Sequence, residues 1–280
     1  MTGQVRNFLT VDVEEWFHLC GGGGALAPEH WATLPSRVEF TTDLTLELLA
    51  RRAVRATFFV LGSVAERHPR LVERIVSAGH EVASHGFSHR RVFELDETSF
   101  AEELARANLA LAQAGAPLPI GFRAPEWSIN DRALWGLAVL ARAGFRYDSS
   151  MSPLRIVGNP NYPQVPHRRD TPHGPLIEIP PLVGRWFGQQ YPLGGGWGLR
   201  MSRPSTVIRE IEARNHLGVP ATLFVHPWEL DPEPPRVDLP PALRFSHYFR
   251  LPGFARRLDE ILSRAAFGPI GEWVLEGGVA

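Results

Sequence analysis

The chain has 280 residues, 44% of them hydrophobic, so it is long enough and apolar enough to bury a sizeable core. Its 29 basic residues nearly balance its 30 acidic residues, and no basic run is long enough to follow a nucleic acid or an anionic membrane. Cys20 is the only cysteine, which excludes an intrachain disulfide and a thiolate metal cage. No apolar run reaches membrane-spanning length, and no secretory leader follows Met1. We therefore expect a cytoplasmic protein unless a leader was removed.

Strand-like and helix-like patterns alternate along the chain, which predicts a parallel sheet with crossover helices. The seven predicted strands are 7–13, 56–61, 80–84, 120–123, 145–148, 176–179 and 221–226. Helices are predicted at about 63–79, 96–114, 131–144, 202–215 and 253–265. Seven parallel strands with crossover helices favour a small, irregular barrel.

Three stretches break this alternation. Residues 151–175 are rich in proline, residues 186–200 mix glycine with aromatic side chains, and residues 231–241 carry a second proline run. Long loops of such composition are usually functional or disordered. None of the three resembles a flexible linker, so we predict a single domain with elaborated loops.

Chemically active side chains gather at one end of the predicted strands. They follow or end the first, third, fourth, fifth and seventh strands: Asp12, Glu14, His85, His89, Arg123, Asp148 and His226. In α/β sheets and barrels the active site lies at the carboxyl ends of the strands. These side chains are therefore the candidate functional site.

The residue types in this cluster indicate metal-assisted hydrolysis. Two histidines and one carboxylate form a three-ligand set with open positions, which is typical of a catalytic metal, and a bound divalent ion polarises a carbonyl and activates water. Asp12 and Glu14 project from the same face of a strand, so one can bind the ion while the other acts as general base. His226 is then available as general acid. Asp148 is predicted to hold its imidazolium form, and Arg123 to orient Asp12.

Five segments resemble, in order, the motifs of the polysaccharide deacetylases, the NodB-homology carbohydrate esterases. The segments are Thr-Val-Asp-Val-Glu at 10–14, His-Gly-Phe-Ser-His at 85–89, Arg-Ala-Pro at 123–125, Tyr-Asp-Ser-Ser at 147–150 and Leu-Phe-Val-His at 223–226. The resemblance covers about residues 8–227 and leaves 228–280 as a C-terminal extension of one domain, 1–280. The segments Asp-Val-Glu-Glu-Trp and His-Pro-Trp-Glu further resemble a subgroup linked to exopolysaccharide loci of exosortase systems.

The resemblance implies a distorted (β/α)7 barrel of the NodB-homology type with elaborated C-terminal loops. It also implies a hydrolase that removes N-acetyl groups from amino sugars of a polysaccharide or lipid-linked glycan. One divalent ion is the expected cofactor, with zinc as the first candidate and cobalt, nickel or manganese as others. An N-acetylated saccharide is the expected partner.

The same resemblance implies roles for individual residues. Asp12 is the implied base and His226 the implied acid, and the implied metal ligands are Glu14, His85 and His89. The sequence departs from the family pattern at Val13, where the family has a second aspartate adjacent to the first. Asp12 therefore remains an alternative metal ligand, with the base elsewhere.

Aromatic side chains near the motif ends and in the glycine-rich loop are candidates for stacking on a sugar ring, or are lids over the core. The predicted substrate-binding residues are Pro125, Trp127, Tyr147 and Trp228. The further loop candidates are Trp186, Tyr191 and Trp197.

Other interpretations of the same residues stay open. Arg123 and Asp148 can form an ion pair with only a structural role. The chain can be an amidohydrolase similar to allantoinase, acting on a small cyclic amide without metal, or a catalytically silent glycan-binding subunit. A stoichiometric divalent ion favours the deacetylase over the amidohydrolase. Saccharide binding without acetate release favours the binding subunit.

Overall fold

The fold is organised around a curled sheet, seen in a computed structural model that describes residues 5–19 and 26–279. Cys20 lies outside the described residues. All seven predicted strands are present: β1 (Asn7–Val13), β2 (Thr57–Val60), β3 (Glu81–Ser84), β4 (Gly121–Phe122), β5 (Tyr147–Asp148), β7 (Gly174–Glu178) and β10 (Thr222–Val225). Two strands join them in the same sheet: β6 (His167–Thr171) and β11 (Phe267–Gly268).

The seven predicted strands run parallel in the order β10, β1, β2, β3, β4, β5, β7, with β6 antiparallel at the edge. The predicted α/β fold, an irregular barrel of seven parallel strands, is thus confirmed, and it takes the form of a curled sheet. Irregular backbone, rather than a ladder between the described residues of β7 and β10, brings the two ends together. The Leu182 N–H donates to the Thr222 carbonyl at 2.9 Å, and the Phe224 N–H donates to the Gly194 carbonyl at 2.8 Å.

Alternation along β1 decides which side chains face the inside of the curl. All seven residues of β1 are buried. Leu9, Val11 and Val13 pack in the large cluster with the surrounding helices, whereas Phe8 packs on the inner aromatic cluster with Phe59. Since side chains alternate along a strand, Asp12 shares the inner side with Phe8 and lies at its carboxyl end.

Ten helices surround the sheet in the described part of the chain. They are α1 (Val38–Arg51), α2 (Gly62–Arg67), α3 (Pro69–Ser77), α4 (Glu97–Gln113), α5 (Gly136–Arg142), α6 (Gly196–Met201), α7 (Pro204–His216), α8 (Pro241–Tyr248), α9 (Phe254–Leu262) and α10 (Ile270–Leu275). Short 3-10 helices lie at Pro28–Thr33, Val92–Glu94, Pro125–Trp127 and Pro227–Leu230. Among the described helices, none has the length and apolar character needed to cross a membrane.

The structure corrects the helix prediction in several places: α8 and α10 were not predicted, and the helix predicted at 131–144 is limited to α5. Two further differences have a clear physical cause. The helix predicted at 63–79 is divided into α2 and α3, because the residue before Pro69 is pushed out of helical geometry; His68 has φ −130° and ψ 58°. Helix α1 was not predicted because threonines interrupt the apolar pattern of its buried face between Val38 and Leu48. The Thr45 hydroxyl is satisfied inside the helix by donating to the Thr41 carbonyl at 2.9 Å.

Two segments predicted to be irregular contain secondary structure. Strand β6 lies within 151–175. The glycine-rich stretch 186–200 overlaps a hairpin of β8 (Val183–Trp186) and β9 (Gln189–Pro192), followed by α6. The hairpin turns at Phe187 and Gly188, which have φ of 45° and 77°, as a two-residue type I′ turn requires. In β8 two buried residues precede two exposed ones, and β9 has no buried residue, so neither strand shows the apolar alternation by which a strand is recognised from sequence.

Candidate active site

A cavity of about 190 Å³ opens at the carboxyl edge of the sheet. We call it the active-site cavity. Its polar and aromatic lining residues include Asp12, Glu14, His18, His85, His89, Arg123, Trp127, Arg200, His226, Trp228 and His247. The tertiary structure therefore gathers most of the predicted site residues at one place and adds residues that were not predicted, among them His18, Arg200 and His247.

Glu14, His85 and His89 form a buried carboxylate–imidazole cluster. The Glu14 Oε2 lies 2.8 Å from the His89 Nε2 and 3.7 Å from the His85 Nε2. One ligand atom from each residue falls within 4.8 Å of the others, which is close enough for all three to hold one ion. Burial acts to raise the pKa of Glu14, but His89 and His85 outweigh burial and bring this pKa well below its ordinary value. Glu14 is therefore ionised, as a metal ligand must be.

The tautomer of His85 is set by the backbone. The His85 Nδ1 lies 2.7 Å from the Arg123 carbonyl oxygen, which can only accept a hydrogen bond. Nδ1 therefore carries a proton, which leaves Nε2, on the side of Glu14, as the nitrogen that can coordinate an ion. A histidine ligand oriented by such a contact through its other nitrogen is the usual arrangement at a protein metal site.

His89 is held by a loop that α4 fixes from behind. Glu103 of α4 accepts hydrogen bonds from the backbone N–H groups of Phe87 and Ser88 at 3.2 and 3.0 Å, and from the Ser88 hydroxyl at 2.8 Å. His89 itself adopts a left-handed backbone with φ 58°, which is uncommon for a residue with a side chain and recurs at functional sites. The His18 ring stacks on His89 at 4.9 Å. The two hydrogen bonds of Ser88 to Glu103 thus help to orient the loop that carries His89.

Asp12 belongs to a second buried unit. The Arg123 guanidinium donates to Asp12 Oδ1 at 2.7 Å, to the Thr10 hydroxyl at 2.8 Å and to the Ser149 hydroxyl at 2.8 Å. Arg123 also lies over the Phe59 ring. Because one Asp12 oxygen is occupied by Arg123, the geometry favours Glu14 over Asp12 as the carboxylate that completes the histidine cluster.

His226 is the first of three charged side chains that bind one another in series, His226 to Glu229 to Arg200. The sequence did not reveal this series. The His226 Nδ1 donates to Glu229 Oε2 at 3.2 Å, and Arg200 donates to Glu229 Oε1 at 2.7 Å. Burial acts to lower the pKa of His226, but the hydrogen bond to Glu229 and the charges of Glu14, Glu229 and Asp12 raise it to about 9. Glu229 was visible three residues after His226. Arg200, in a glycine-rich segment, carried no sequence signal.

The structure corrects the prediction that Asp148 holds His226. It also gives no ion pair between the described side chains of Asp148 and Arg123. The Asp148 carboxylate accepts from the Ser150 hydroxyl at 2.5 Å and faces Glu178 of the adjacent strand β7. Burial and the nearby Asp148 raise the pKa of Glu178 well above its ordinary value, so this carboxyl is protonated beside Asp148. Asp148 therefore contacts Ser150 and Glu178, and it is not among the described residues that line the cavity.

The predicted substrate-binding residues separate into two groups. Trp127 and Trp228 line the active-site cavity and are nearly buried, at 9% and 4% exposure. Tyr147 does not reach it: its hydroxyl donates to Glu81 at 2.9 Å, at the start of β3 and hence at the opposite end of the sheet. Pro125 is buried and begins the turn that carries Trp127; it is not among the described residues lining the cavity.

The loop aromatics are divided in the same way. Trp197 lines the active-site cavity and is 41% exposed. Trp186 lies at the hairpin end, 72% exposed, and Tyr191 packs across that hairpin; neither is among the described lining residues. Trp197 is thus the loop aromatic placed to meet a ligand.

Comparison with known proteins adds family evidence to this geometry. Residues 33–147 match the family model described as polysaccharide deacetylase, and residues 149–275 match a domain of unknown function, DUF3473. A peptidoglycan-N-acetylglucosamine deacetylase of Bacillus cereus is 31% identical over 97 residues, which is 35% of each chain. A chitooligosaccharide deacetylase of Rhizobium leguminosarum bv. trifolii is 38% identical over 102 residues, covering 36% of this chain and 45% of the relative. The chain spans less than half the length of these curated relatives.

Solved structures share the fold. A structure from Mycobacterium smegmatis, provisionally assigned as a polysaccharide deacetylase, has a TM-score of 0.63 at 21% identity and covers 99% of this chain and 92% of its own. A carbohydrate esterase family 4 pseudoenzyme from Bacillus anthracis has a TM-score of 0.53 at 13% identity, covering 98% of this chain and 66% of its own. At such identities the likeness establishes the fold and leaves activity to be argued from the site.

Proposed function

We propose that the chain hydrolyses N-acetyl groups of an amino sugar within a glycan, using one divalent ion, on the premise that residues 33–147 carry a polysaccharide deacetylase domain. The observation that carries the proposal is the convergence of the Glu14–His85–His89 cluster, the Asp12–Arg123 pair and the His226–Glu229 pair on one cavity. Such a convergence supplies metal ligands, a base and an acid together.

The residues present fit a divalent ion. The donor set is one ionised carboxylate and two histidines, and the His85 Nδ1 contact leaves its Nε2 free to coordinate. We propose Glu14, His85 and His89 as its holders. When bound, such an ion would polarise the acetyl carbonyl and activate water. Zinc suits this mixed nitrogen and oxygen set, and cobalt, nickel and manganese are the other candidates.

Asp12 is the proposed base. Its carboxylate is held by the Arg123 guanidinium and lines the cavity beside Glu14. This contact fixes the direction of the carboxylate, so it is oriented to take a proton from the attacking water. Arg123 acts through Asp12 as a positioning residue.

His226 is the proposed acid. With a pKa of about 9 it carries its proton at neutral pH, and Glu229 fixes that form by accepting from Nδ1. The opposite ring nitrogen, Nε2, lies 3.6 Å from Glu14 Oε1, so it faces the cluster. From there it can give a proton to the departing amine as the carbon–nitrogen bond breaks.

We propose that residues 1–280 work as one domain. The site takes Asp12 from the first strand, His85 from the polysaccharide deacetylase match and His226 from the DUF3473 match. We also propose a bacterial exopolysaccharide as the polymer, which the segments at Asp12–Trp16 and His226–Glu229 support by resemblance. Release of acetate from such a polymer, compared with peptidoglycan and chitooligosaccharides, tests this assignment.

The central experiment measures acetate release from chitooligosaccharides by the purified chain, before and after removal of divalent ions. We expect release to require one bound ion per chain and to return when zinc or cobalt is added. His85→Gln should lose most of the activity, because it removes one ligand. His216→Gln, on the exposed surface, is the matched control and should retain activity.

Two results would contradict the proposed function. Full activity of His85→Gln would remove the role of the ion. Saccharide binding without acetate release under several divalent ions would show a binding protein instead.

A further inference from the structure

His247 is a buried histidine outside the predicted site whose ring has no partner. It lies in the last turn of α8, in the C-terminal extension, and is 2% exposed. Neither Nδ1 nor Nε2 has a hydrogen-bond partner among the described residues, yet His247 lines the active-site cavity. A buried polar group without a partner is uncommon, and a ligand is one explanation for it.

Trp228 packs against His247 and also has a buried nitrogen, Nε1, without a hydrogen-bond partner among the described residues. Trp228 also lines the cavity. The ring of Trp228 lies between two histidines, stacked on His226 at 5.3 Å and tilted on His247 at 4.5 Å. Two unpaired polar groups therefore adjoin the proposed acid.

The position of His247 is fixed by Arg200. The Arg200 guanidinium donates to the carbonyls of Ser246, His247 and Phe249 at 2.6, 3.2 and 2.6 Å, while its Nε donates to Glu229. Arg200 thereby satisfies carbonyls at the C-terminal end of α8 and ties that end to the partner of His226. His247 is therefore held at a fixed place relative to the acid.

The charge of His247 indicates what it can recognise. Burial and the nearby Arg200 lower the pKa of His247 to about 3, so the ring is neutral at physiological pH. A neutral imidazole has one donor and one acceptor, and the Trp228 indole adds a donor. This combination suits a hydroxyl group, which both donates and accepts, and offers little to an anion.

From this geometry we propose that His247, together with the Trp228 Nε1, binds a hydroxyl group of the sugar and so determines substrate recognition. The inference rests on the proposed function and assigns a role to the C-terminal extension. A sugar hydroxyl placed there would satisfy polar atoms that the folded chain leaves unpaired.

The test is steady-state acetate release from chitotetraose by His247→Phe, which keeps an aromatic ring but removes both nitrogens. We expect KM to rise about tenfold, the loss of one typical hydrogen bond, while kcat changes by less than about threefold. His247→Asn restores a donor and an acceptor and should recover part of the KM. Tyr248→Phe, the next residue on α8, removes a hydroxyl that bonds Pro235 and Val237 and should leave KM unchanged.

Trp228→Phe is the second variant, should His247→Phe fail to fold as judged by thermal unfolding. It keeps the ring between the two histidines and should also raise KM. An unchanged KM in a folded His247 variant and in Trp228→Phe would overturn the inference while leaving the proposed function intact. Absence of both acetate release and calorimetric saccharide binding in the unsubstituted chain would overturn the proposed function, and the inference with it.

Discussion

The Nδ1 of His226 donates a hydrogen bond to a carboxylate oxygen of Glu229 at 3.2 Å, three residues further along the chain. The short 3-10 helix Pro227–Leu230 brings the two together, and the same Glu229 oxygen accepts from the His226 backbone N–H at 3.0 Å. Arg200 balances the buried charge of Glu229 from the other side. This local pair, rather than a residue from another strand, sets the protonation of the proposed acid.

Glu229→Gln should therefore move the basic limb of the pH–rate profile. His226 is protonated up to a pKa of about 9, and without the carboxylate its burial pulls that pKa down. We expect acetate release to decline at a lower pH, with a loss of roughly tenfold for each unit of pKa by which the limb moves. The measurement is kcat/KM with chitotetraose between pH 5 and 10. This range includes both the ordinary histidine pKa of about 6.5 and the raised pKa of about 9. Glu276→Gln, on an exposed residue, is the control; an unmoved limb in Glu229→Gln would refute the pairing.

The same pKa shift affects stability. A raised pKa in the folded state stabilises the protein fully below the ordinary histidine pKa of 6.5, and this contribution is lost as the pH rises through about 9. We expect the free energy of unfolding to fall less over this range in His226→Gln than in the unsubstituted chain. Denaturant unfolding at a series of pH values measures it, and parallel curves for the two proteins would contradict the expectation.

Asp12→Asn and Glu14→Gln should separate base from ligand. Asp12 is bound by Arg123, whereas Glu14 faces both histidines. We therefore expect Asp12→Asn to bind a divalent ion normally and to lose activity by about 100-fold or more, while Glu14→Gln loses the ion itself. Calorimetric titration with zinc, beside acetate release, distinguishes the two. Loss of zinc binding in Asp12→Asn, with binding retained in Glu14→Gln, would reverse the assignment.

Glu103→Ala should lower the affinity for the divalent ion, because Glu103 fixes the loop that carries His89. Three hydrogen bonds from Phe87 and Ser88 end on Glu103, and without them the left-handed conformation of His89 is less constrained. Substitution of a residue that supports a ligand typically lowers metal affinity by about 10- to 100-fold. Glu102→Ala, the exposed neighbour on the same helix, is the matched control. Equal zinc affinity in both variants would show that Glu103 has no such role.

Tyr147→Phe should leave catalysis unchanged. Its hydroxyl donates to Glu81 at the end of the sheet away from the cavity, so only stability depends on it. We expect a loss of about 1–3 kcal/mol in the free energy of unfolding, because a buried Glu81 oxygen loses a partner, with KM for chitotetraose unaltered. Denaturant unfolding and steady-state kinetics measure the two quantities. A raised KM without a change in stability would return Tyr147 to the substrate site.

The sequence alone determined the sheet and the neighbourhood of the site. Alternation placed seven strands, and polar residues at their carboxyl ends had to meet, because parallel strands bring those ends to one edge. The sequence alone therefore places His85 and His89 together with Asp12 and His226.

Tertiary structure decided how these groups are paired. Asp12 lies in β1 and Glu14 directly follows that strand. Alternation predicts both side chains on the same face, and it cannot tell which of the two Arg123 binds. Tyr147 and Asp148 are adjacent in a motif, yet they bind different partners. The Tyr147 hydroxyl donates to Glu81, whereas Asp148 contacts Glu178. Such choices depend on which partner satisfies a buried polar atom, and that partner is often distant in sequence.

Arg200 and His247 show this limit most clearly. Both come from segments without strand periodicity or a motif, and they reach the cavity only because Arg200 joins Glu229 to the end of α8 through hydrogen bonds. Sequence patterns record which face of an element is buried. The contacts made inside the buried region follow from three-dimensional packing, and there they determine the hydrogen-bond partners of His226 and the lining of the active-site cavity.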